Sequence, residues 1–345
     1  MASRHLLTAL GGLVACAVLA ACGASTSNQD GGPPEPEQEG ITLYSGRIAA
    51  AIGGAVDAYE AEANRDVKVR FADTADLAAT IVEEGENSPA DVFFAQEPGA
   101  LYALAEEGLL AKLPDDILER VPSRYRDPEG RWVGVTGRAR VIAYREDVPR
   151  SELPDSPLEL TEPRWRGRVG WGPQTASLQE YVTALRLEYG DDVARDWLEG
   201  MVANDARSYP NNVAIRDAIA AGEIDVGLLN HYYVAQAVAA EGEDYPVRVY
   251  FPPKGLGSLV LVAGAAVLES SDRKQEAFDF VRSLLSPETQ RFFTSSSKEY
   301  PLARGAKPDP SLQVPLEKIP APRGNPFDVA ELQATIELMQ QAGAL

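Results

Sequence analysis

Ile41-Thr42-Leu43-Tyr44-Ser45-Gly46-Arg47 opens a run in which two hydrophobic periods alternate. Residues 41–45 are a short apolar strand pattern, and residues 49–63 carry apolar positions at helical spacing. The pair then recurs. Residues 67–71 read as extended and 75–84 as helical, Asp91-Val92-Phe93-Phe94 as extended and 97–107 as helical up to Gly108. Strand and helix patterns alternating at this spacing predict parallel α/β units rather than a sandwich.

Working outward, the turn Asp127-Pro128-Glu129-Gly130 leads into two extended segments, 132–135 and 140–144. A second alternating set follows. Residues 167–171 form a strand pattern, 177–189 and 191–203 two helices, and 208–209 an extended pair. A helix at 212–221, a strand at 224–229, a helix at 232–240 and an extended segment at 247–252 complete the set. Residues 259–267 are apolar enough for a buried strand, 275–285 and 287–293 make a helix pair, and 329–341 is a last helix. The 345 residues exceed what one core serves, roughly 250–300, so two lobes are expected.

Composition narrows the function classes. A 45% hydrophobic, 24% charged chain is globular, and its net charge of −20 comes without any Lys/Arg cluster. Nucleic-acid binding needs a basic face and is excluded on that ground. Cysteine and histidine number two each, Cys16, Cys22, His5 and His231. Residues 1–21 read as an export signal, with Arg4 and His5 before an apolar stretch from Leu6 to Leu19 that is too short to span a bilayer. The stretch ends in Leu19-Ala20-Ala21-Cys22-Gly23, which resembles a bacterial lipobox. Cleavage there would leave a lipidated Cys22, followed to residue 40 by a disordered tether rich in Ser, Gly, Pro and Glu. Disulfides and Cys/His zinc sites are then excluded from the mature chain, which keeps one His and only the lipidated Cys.

In open α/β sheets ligands bind beyond the carboxyl ends of the strands, so polar strand-end segments are the candidates. Tyr232 and Tyr233 follow the strand ending at Asn230. At the first turn of a helix neighbours lie only about 100° apart, so both phenols can converge on one point. Two chemistries suit them. A small, hard cation deprotonates phenols and favours oxygen donors, and an aromatic wall takes an organic cation by stacking. Thr175, Ala176 and Ser177 precede a helix, and Asn212 stands at the start of another, where anions are favoured and where N-caps are equally at home. Arg138 and Arg140 alternate in an extended run, suited to an anion or to surface salt bridges. Catalysis finds little footing: no Gly-x-Ser-x-Gly turn, nucleotide loop or nucleophilic Cys is present.

The segments Ile41 to Arg47, Ala90-Asp91-Val92-Phe93-Phe94, Gly137-Arg138-Ala139-Arg140-Val141, Asn230-His231-Tyr232-Tyr233 and Glu299-Tyr300-Pro301-Leu302, in this order, resemble the ferric-ion-binding proteins of bacterial ABC importers. The resemblance runs from residue 41 to the C-terminus. It implies an α/β, two-lobe type II periplasmic-binding-protein fold hinged by crossing strands, with residues 41–140 and 262–345 in the first lobe and 141–261 in the second. By the same resemblance Tyr232 and Tyr233 match the paired iron ligands. Thr175, Ala176, Ser177, Asn212 and Asn230 match anion contacts, and Arg138 stands near an anion-binding arginine. The family's glutamate ligand corresponds to Gln96, with Glu97 beside it, its histidine to Ile48, and a third tyrosine of some members falls near Ser177.

Two phenolates leave most of an octahedral shell to an exogenous anion, water, Glu97 or another tyrosine. The expectation is therefore a monomeric lipoprotein, not an enzyme, on the outer face of the cytoplasmic membrane. It would carry Fe³⁺ with carbonate, phosphate or citrate to an ABC permease. The alternative is the same fold carrying thiamine, a polyamine or a phosphonate.

Overall fold

A computed structural model describes residues 40–312, 314–319 and 329–345. The signal at residues 1–21, Cys22 and the tether up to residue 39 lie outside the described residues. The chain begins with β1 (Ile41–Ser45), α1 (Ala49–Ala63), β2 (Val67–Phe71), α2 (Thr74–Glu84), β3 (Val92–Ala95), α3 (Pro98–Glu106) and a short α4 (Asp115–Leu118). A 14-residue strand follows, β4 (Trp132–Arg145). Then come β5 (Val169–Trp171), α5 (Ala176–Tyr189), α6 (Asp191–Ala203), β6 (Arg207–Ser208), α7 (Asn212–Ala220), β7 (Val226–Asn230), α8 (Tyr232–Glu241) and β8 (Val247–Tyr250). The chain closes with β9 (Val260–Val267), α9 (Lys274–Leu284), α10 (Pro287–Ser297), β10 (Tyr300–Pro301) and α11 (Val329–Gln341).

Strand β4 organises the molecule. Its first half, to Ala139, pairs antiparallel with β9, and its second half, from Arg140, pairs antiparallel with β7 and β8. The order is β2-β1-β3-β9-β4-β7-β5-β6, so β4 leaves one lobe's sheet and enters the other's. The change of partner falls between Ala139 and Arg140. Parallel pairing joins β1 to β2 and β3, and β5 to β6 and β7. The remaining ladders are antiparallel, so the sheets are mixed rather than built from parallel units alone. Such a mixture arises because strands that cross between lobes return against their neighbours.

The strands read as they do because both faces are covered. Val92–Ala95 and Val260–Val267 are buried at every position, the pattern of strands sandwiched between helices. β4 is buried from Trp132 to Tyr144, Arg138 and Arg140 included. Sequence patterning divides this segment into two strands because Thr136, Gly137 and Arg138 look like a polar break. The structure runs one strand through them, with a register shift between Gly134 and Thr136. Gly134 sits where an added Cβ would lie 2.6 Å from the Tyr125 carbonyl oxygen, so only Gly lets the backbones approach there.

Two hydrophobic clusters hold the lobes. The larger joins Phe93, Phe94, Phe280, Phe293 and Val262, and continues across β4 to Ile215, Ile219 and Leu229. The second packs Trp165, Trp171, Tyr181, Leu185, Trp197 and Met201 beneath the other face of β7. Leu338 and Met339 of α11 join this second cluster, and Thr335 meets Thr183 of α5 at 2.8 Å. The last helix thus packs against α5 and α6. No helix among the described residues is long and apolar enough to cross a membrane.

The start of α7 corrects one local expectation. Asn211, not Asn212, is the N-cap: its Oδ1 accepts from the Ala214 N–H at 2.9 Å. Two adjacent asparagines compete for the cap, and the one whose backbone is extended takes it. Asn211→Ala is expected to lower stability by about 1 kcal/mol, read from urea unfolding, without changing ligand binding. Asn212 becomes the first helical residue, and its side chain is free for other work.

Candidate functional site

β7 ends on Asn230, and the chain turns at once into α8. Its entry is set by His231, 3% exposed, whose Nδ1 accepts the Ala139 N–H at 3.0 Å. Nε2 therefore carries the proton and donates to the Lys298 carbonyl at 2.9 Å. Burial drives its pKa down to about 4, so the ring is a neutral crossbrace between β4, α8 and the end of α10. Both ring nitrogens are spent, and His231 can be neither metal ligand nor base.

Tyr232 and Tyr233 occupy the first turn of α8 as the spacing predicts. Their rings lie 4.2 Å apart at centroids, tilted 31°. Burial raises the Tyr232 phenol well above its ordinary pKa, the neighbouring Tyr233 adds to this, and the Arg138 charge opposes it. Such a phenol stays protonated until a highly charged cation inverts the balance. With Gly46, Arg47, Ile48 and Gln96 the two tyrosines line a cavity of about 300 Å³. The structure thus brings Gln96 opposite the pair. Ile48, at the family's histidine position, is 72% exposed and offers an aliphatic edge.

The anion candidates divide. Arg140, 3% exposed, sends one guanidinium nitrogen to Asn212 Oδ1 at 2.9 Å, Ser177 Oγ at 3.1 Å and Asn230 Oδ1 at 3.2 Å. Its other terminal nitrogen donates to the Leu228 carbonyl at 3.0 Å. The Asn230 N–H also donates to Asn212 Oδ1, at 3.1 Å. Three residues predicted from separate loops are therefore one network, and Arg140 is its centre. Desolvation lowers the Arg140 pKa to about 10, which still leaves it cationic at neutral pH. Thr175 and Ala176 stay outside: the Thr175 hydroxyl donates to the Gly172 carbonyl at 2.7 Å and closes its own turn.

Arg138, 2% exposed, faces the first lobe. It donates to the Gln96 carbonyl oxygen and lies 3.6 Å from Glu97 Oε1. Arg138 thus makes an ion pair, with Glu97, but from a buried position rather than at the surface. Arg140 has no carboxylate within ion-pair distance among the described residues.

Glu180 was not among the sequence candidates. It lies on α5, three residues beyond Ser177, and is 4% exposed with Oε2 unpartnered. Burial pushes its carboxyl up to about 8, helped by the Glu97 charge, while Arg138 and Arg140 pull it down. In the sequence it reads as one solvated acid of 52. The available signal was that α5 is apolar or small on nearly every side from Ser177 to Leu185, which leaves a mid-helix acid little water. Among the described residues, no group of three or more His, Cys, Asp or Glu is placed to hold a metal ion.

Two α/β lobes joined by a crossing strand, with polar residues from both lobes facing one cleft, define a solute-binding protein. The chain matches the family described as bacterial extracellular solute-binding protein over residues 41–296. It is 31% identical to an Fe(3+)-binding periplasmic protein of Serratia marcescens, covering 96% of both chains. To a major ferric iron-binding protein of Neisseria meningitidis it is 33% identical, over 89% of this chain and 94% of that one. Among solved structures, iron-bound HitA from Pseudomonas aeruginosa superposes with a TM-score of 0.80 at 36% identity, covering 89% of this chain and all of that one. A Trichodesmium protein (IdiA, FutA) in complex with iron and citrate gives 0.77 at 29%, over 88% and 99%. The chain belongs to the bacterial extracellular solute-binding family, in its ferric-ion-binding group with the type II periplasmic-binding-protein fold.

Proposed function

We propose that this protein is an extracytoplasmic carrier of ferric ion for an ABC permease, with Tyr232 and Tyr233 as its iron anchors. The observation that carries this reading is the pair of phenol rings, 4.2 Å apart at their centroids, on the first turn of α8, beside a buried arginine network. Two phenolates suit a hard trivalent ion. Its relatives named for ferric iron, and the neighbour holding iron and citrate, support the same cargo and an accompanying anion. Ser177, Asn212 and Asn230, ordered by Arg140, are the anion contacts we favour, with Arg138, Gln96 and Glu97 approaching from the hinge and first lobe. Closure of the lobes over the ion would bring the two sets together. Within this reading Cys22 is lipidated, the carrier works as a monomer on the outer face of the cytoplasmic membrane, and it holds its cargo without converting it.

Titration of the mature protein with ferric ion in carbonate buffer is expected to raise a visible tyrosinate-to-iron charge-transfer band. Absence of the band in every anion tried would favour an organic solute instead, a cargo that the aliphatic edge at Ile48 would also suit. Iron retention is further expected to vary at least about tenfold, near 1.4 kcal/mol, between carbonate, phosphate and citrate. Equal affinities in all three would mean that no exogenous anion completes the shell.

A further inference from the structure

The cavity that holds the tyrosine pair has few other donors to give. Glu299 lines it, but both of its oxygens accept from the Arg47 guanidinium, at 2.8 and 2.9 Å. The Ser297 hydroxyl donates to the Phe293 carbonyl at 2.7 Å, and the Gln236 amide nitrogen donates to the Ser297 carbonyl at 3.2 Å. What the lining offers a ligand is therefore two phenols and neutral amide groups, with Gly46, Ile48 and Ala51 supplying a wall that has no donor side chain. A hard trivalent ion held there draws the rest of its oxygen shell from a co-ligand.

Ile48 is the odd residue in that wall. At 72% it is the most exposed large hydrophobic side chain among the described residues. It is also the N-cap of α1, where it makes no side-chain cap hydrogen bond. Ile is among the poorest caps, and an aliphatic side chain left in water gains nothing from burial. Two local preferences are thus broken at one position, on the lining of a ligand cavity, where contact with a ligand offsets both. Carbonate and phosphate have no carbon surface to cover it beyond a single central atom. The cavity, about 300 Å³, lies at the small end of the range for organic ligands, roughly 300–1,000 Å³. One water takes about 30 Å³, so an ion with one small oxyanion leaves much of that space wet. We infer that Ile48 is a specificity-determining residue. It packs on the carbon skeleton of a small organic polycarboxylate that chelates the iron, and so selects this co-ligand over an inorganic oxyanion. A single chelator supplies several hard oxygen donors while losing translational freedom only once. The inference rests on the ferric reading above and names the class of its co-ligand.

The test mixes the mature protein, wild type, Ile48→Ala and Ile48→Thr, with one equivalent of ferric ion. Each sample is dialysed to equilibrium against labelled citrate and, separately, labelled bicarbonate. Ile48 is exposed, and Thr is the better cap, so neither variant takes packing out of the core. Wild type is expected to hold citrate at least about tenfold more tightly than carbonate. In both variants the ratio of the two affinities is expected to fall about tenfold, the scale of one aliphatic contact. A ratio within twofold of wild type in both variants would overturn the proposal, as would a wild type that prefers carbonate. The tyrosinate charge-transfer band is read in the same samples. Its absence from wild-type protein with either anion would instead overturn the ferric reading beneath.

Discussion

Tyr232→Phe combined with Tyr233→Phe is expected to lower ferric-ion affinity by at least about 10³-fold, near 4 kcal/mol, and to abolish the visible charge-transfer band. The substitution removes two oxygen atoms and nothing else. Both rings keep their volume and their 4.2 Å packing on the first turn of α8. No hydrogen bond ties either hydroxyl to the backbone among the described residues, so the urea midpoint is expected to stay within about 0.5 kcal/mol of wild type. The two readings together separate a lost ligand from a lost fold. Unchanged iron affinity in the double variant would remove the paired tyrosines from the site.

Arg47→Met is expected to destabilise the protein by about 3–5 kcal/mol. Arg47 follows β1, Glu299 precedes β10, and both are nearly inaccessible at 5% and 1%. Their contact is bidentate, at 2.8 and 2.9 Å, and Arg47 also donates to Thr136 Oγ1 at 3.1 Å in mid-β4. Without the guanidinium, Glu299 is a buried charge with no counterion, which is the expensive case. Arg47→Met with Glu299→Met removes both charges and is expected to recover most of the loss. Urea midpoints of the single and double variants check this. A single variant within 1 kcal/mol of wild type would show that water or Arg138 replaces the partner.

The same pair has a pH signature. Although burial acts to raise it, the charge and hydrogen bonds of Arg47 hold the Glu299 carboxyl below its ordinary range. A carboxyl whose folded pKa is depressed stabilises the fold above its unfolded value, about 4.3, and loses that contribution as pH falls through the folded value. In Arg47→Met burial acts on Glu299 with Arg47 removed, so acidification toward pH 4 is expected to narrow the gap to wild type.

How much of this was legible beforehand varies with the range of the interaction involved. The α/β alternation of residues 41–107 was legible because strand and helix periods are written in neighbouring residues. So was the placing of Tyr232 and Tyr233, since a strand end running directly into a helix dictates the angle between successive side chains. The cap at Asn211 was missed because two adjacent asparagines compete for one role, and backbone geometry alone separates them. β4 was divided because Thr136 and Arg138 look solvated in a sequence, whereas burial in the crossing strand supplies them with Arg47, Gln96 and Glu97.

Local order alone thus determined the lobed α/β plan, the strand-to-helix junction that aims two phenols together, and the absence of Cys and His chemistry. The tertiary structure decided which charges are paired. Whether Arg140 is a surface ion pair or the hub of Ser177, Asn212 and Asn230 depends on chain segments up to 90 residues apart. Whether Glu180 is a solvated acid or an unpartnered carboxylate depends on what covers α5. Both questions turn on desolvation, and burial is a property of the packed chain that no stretch of neighbouring residues specifies.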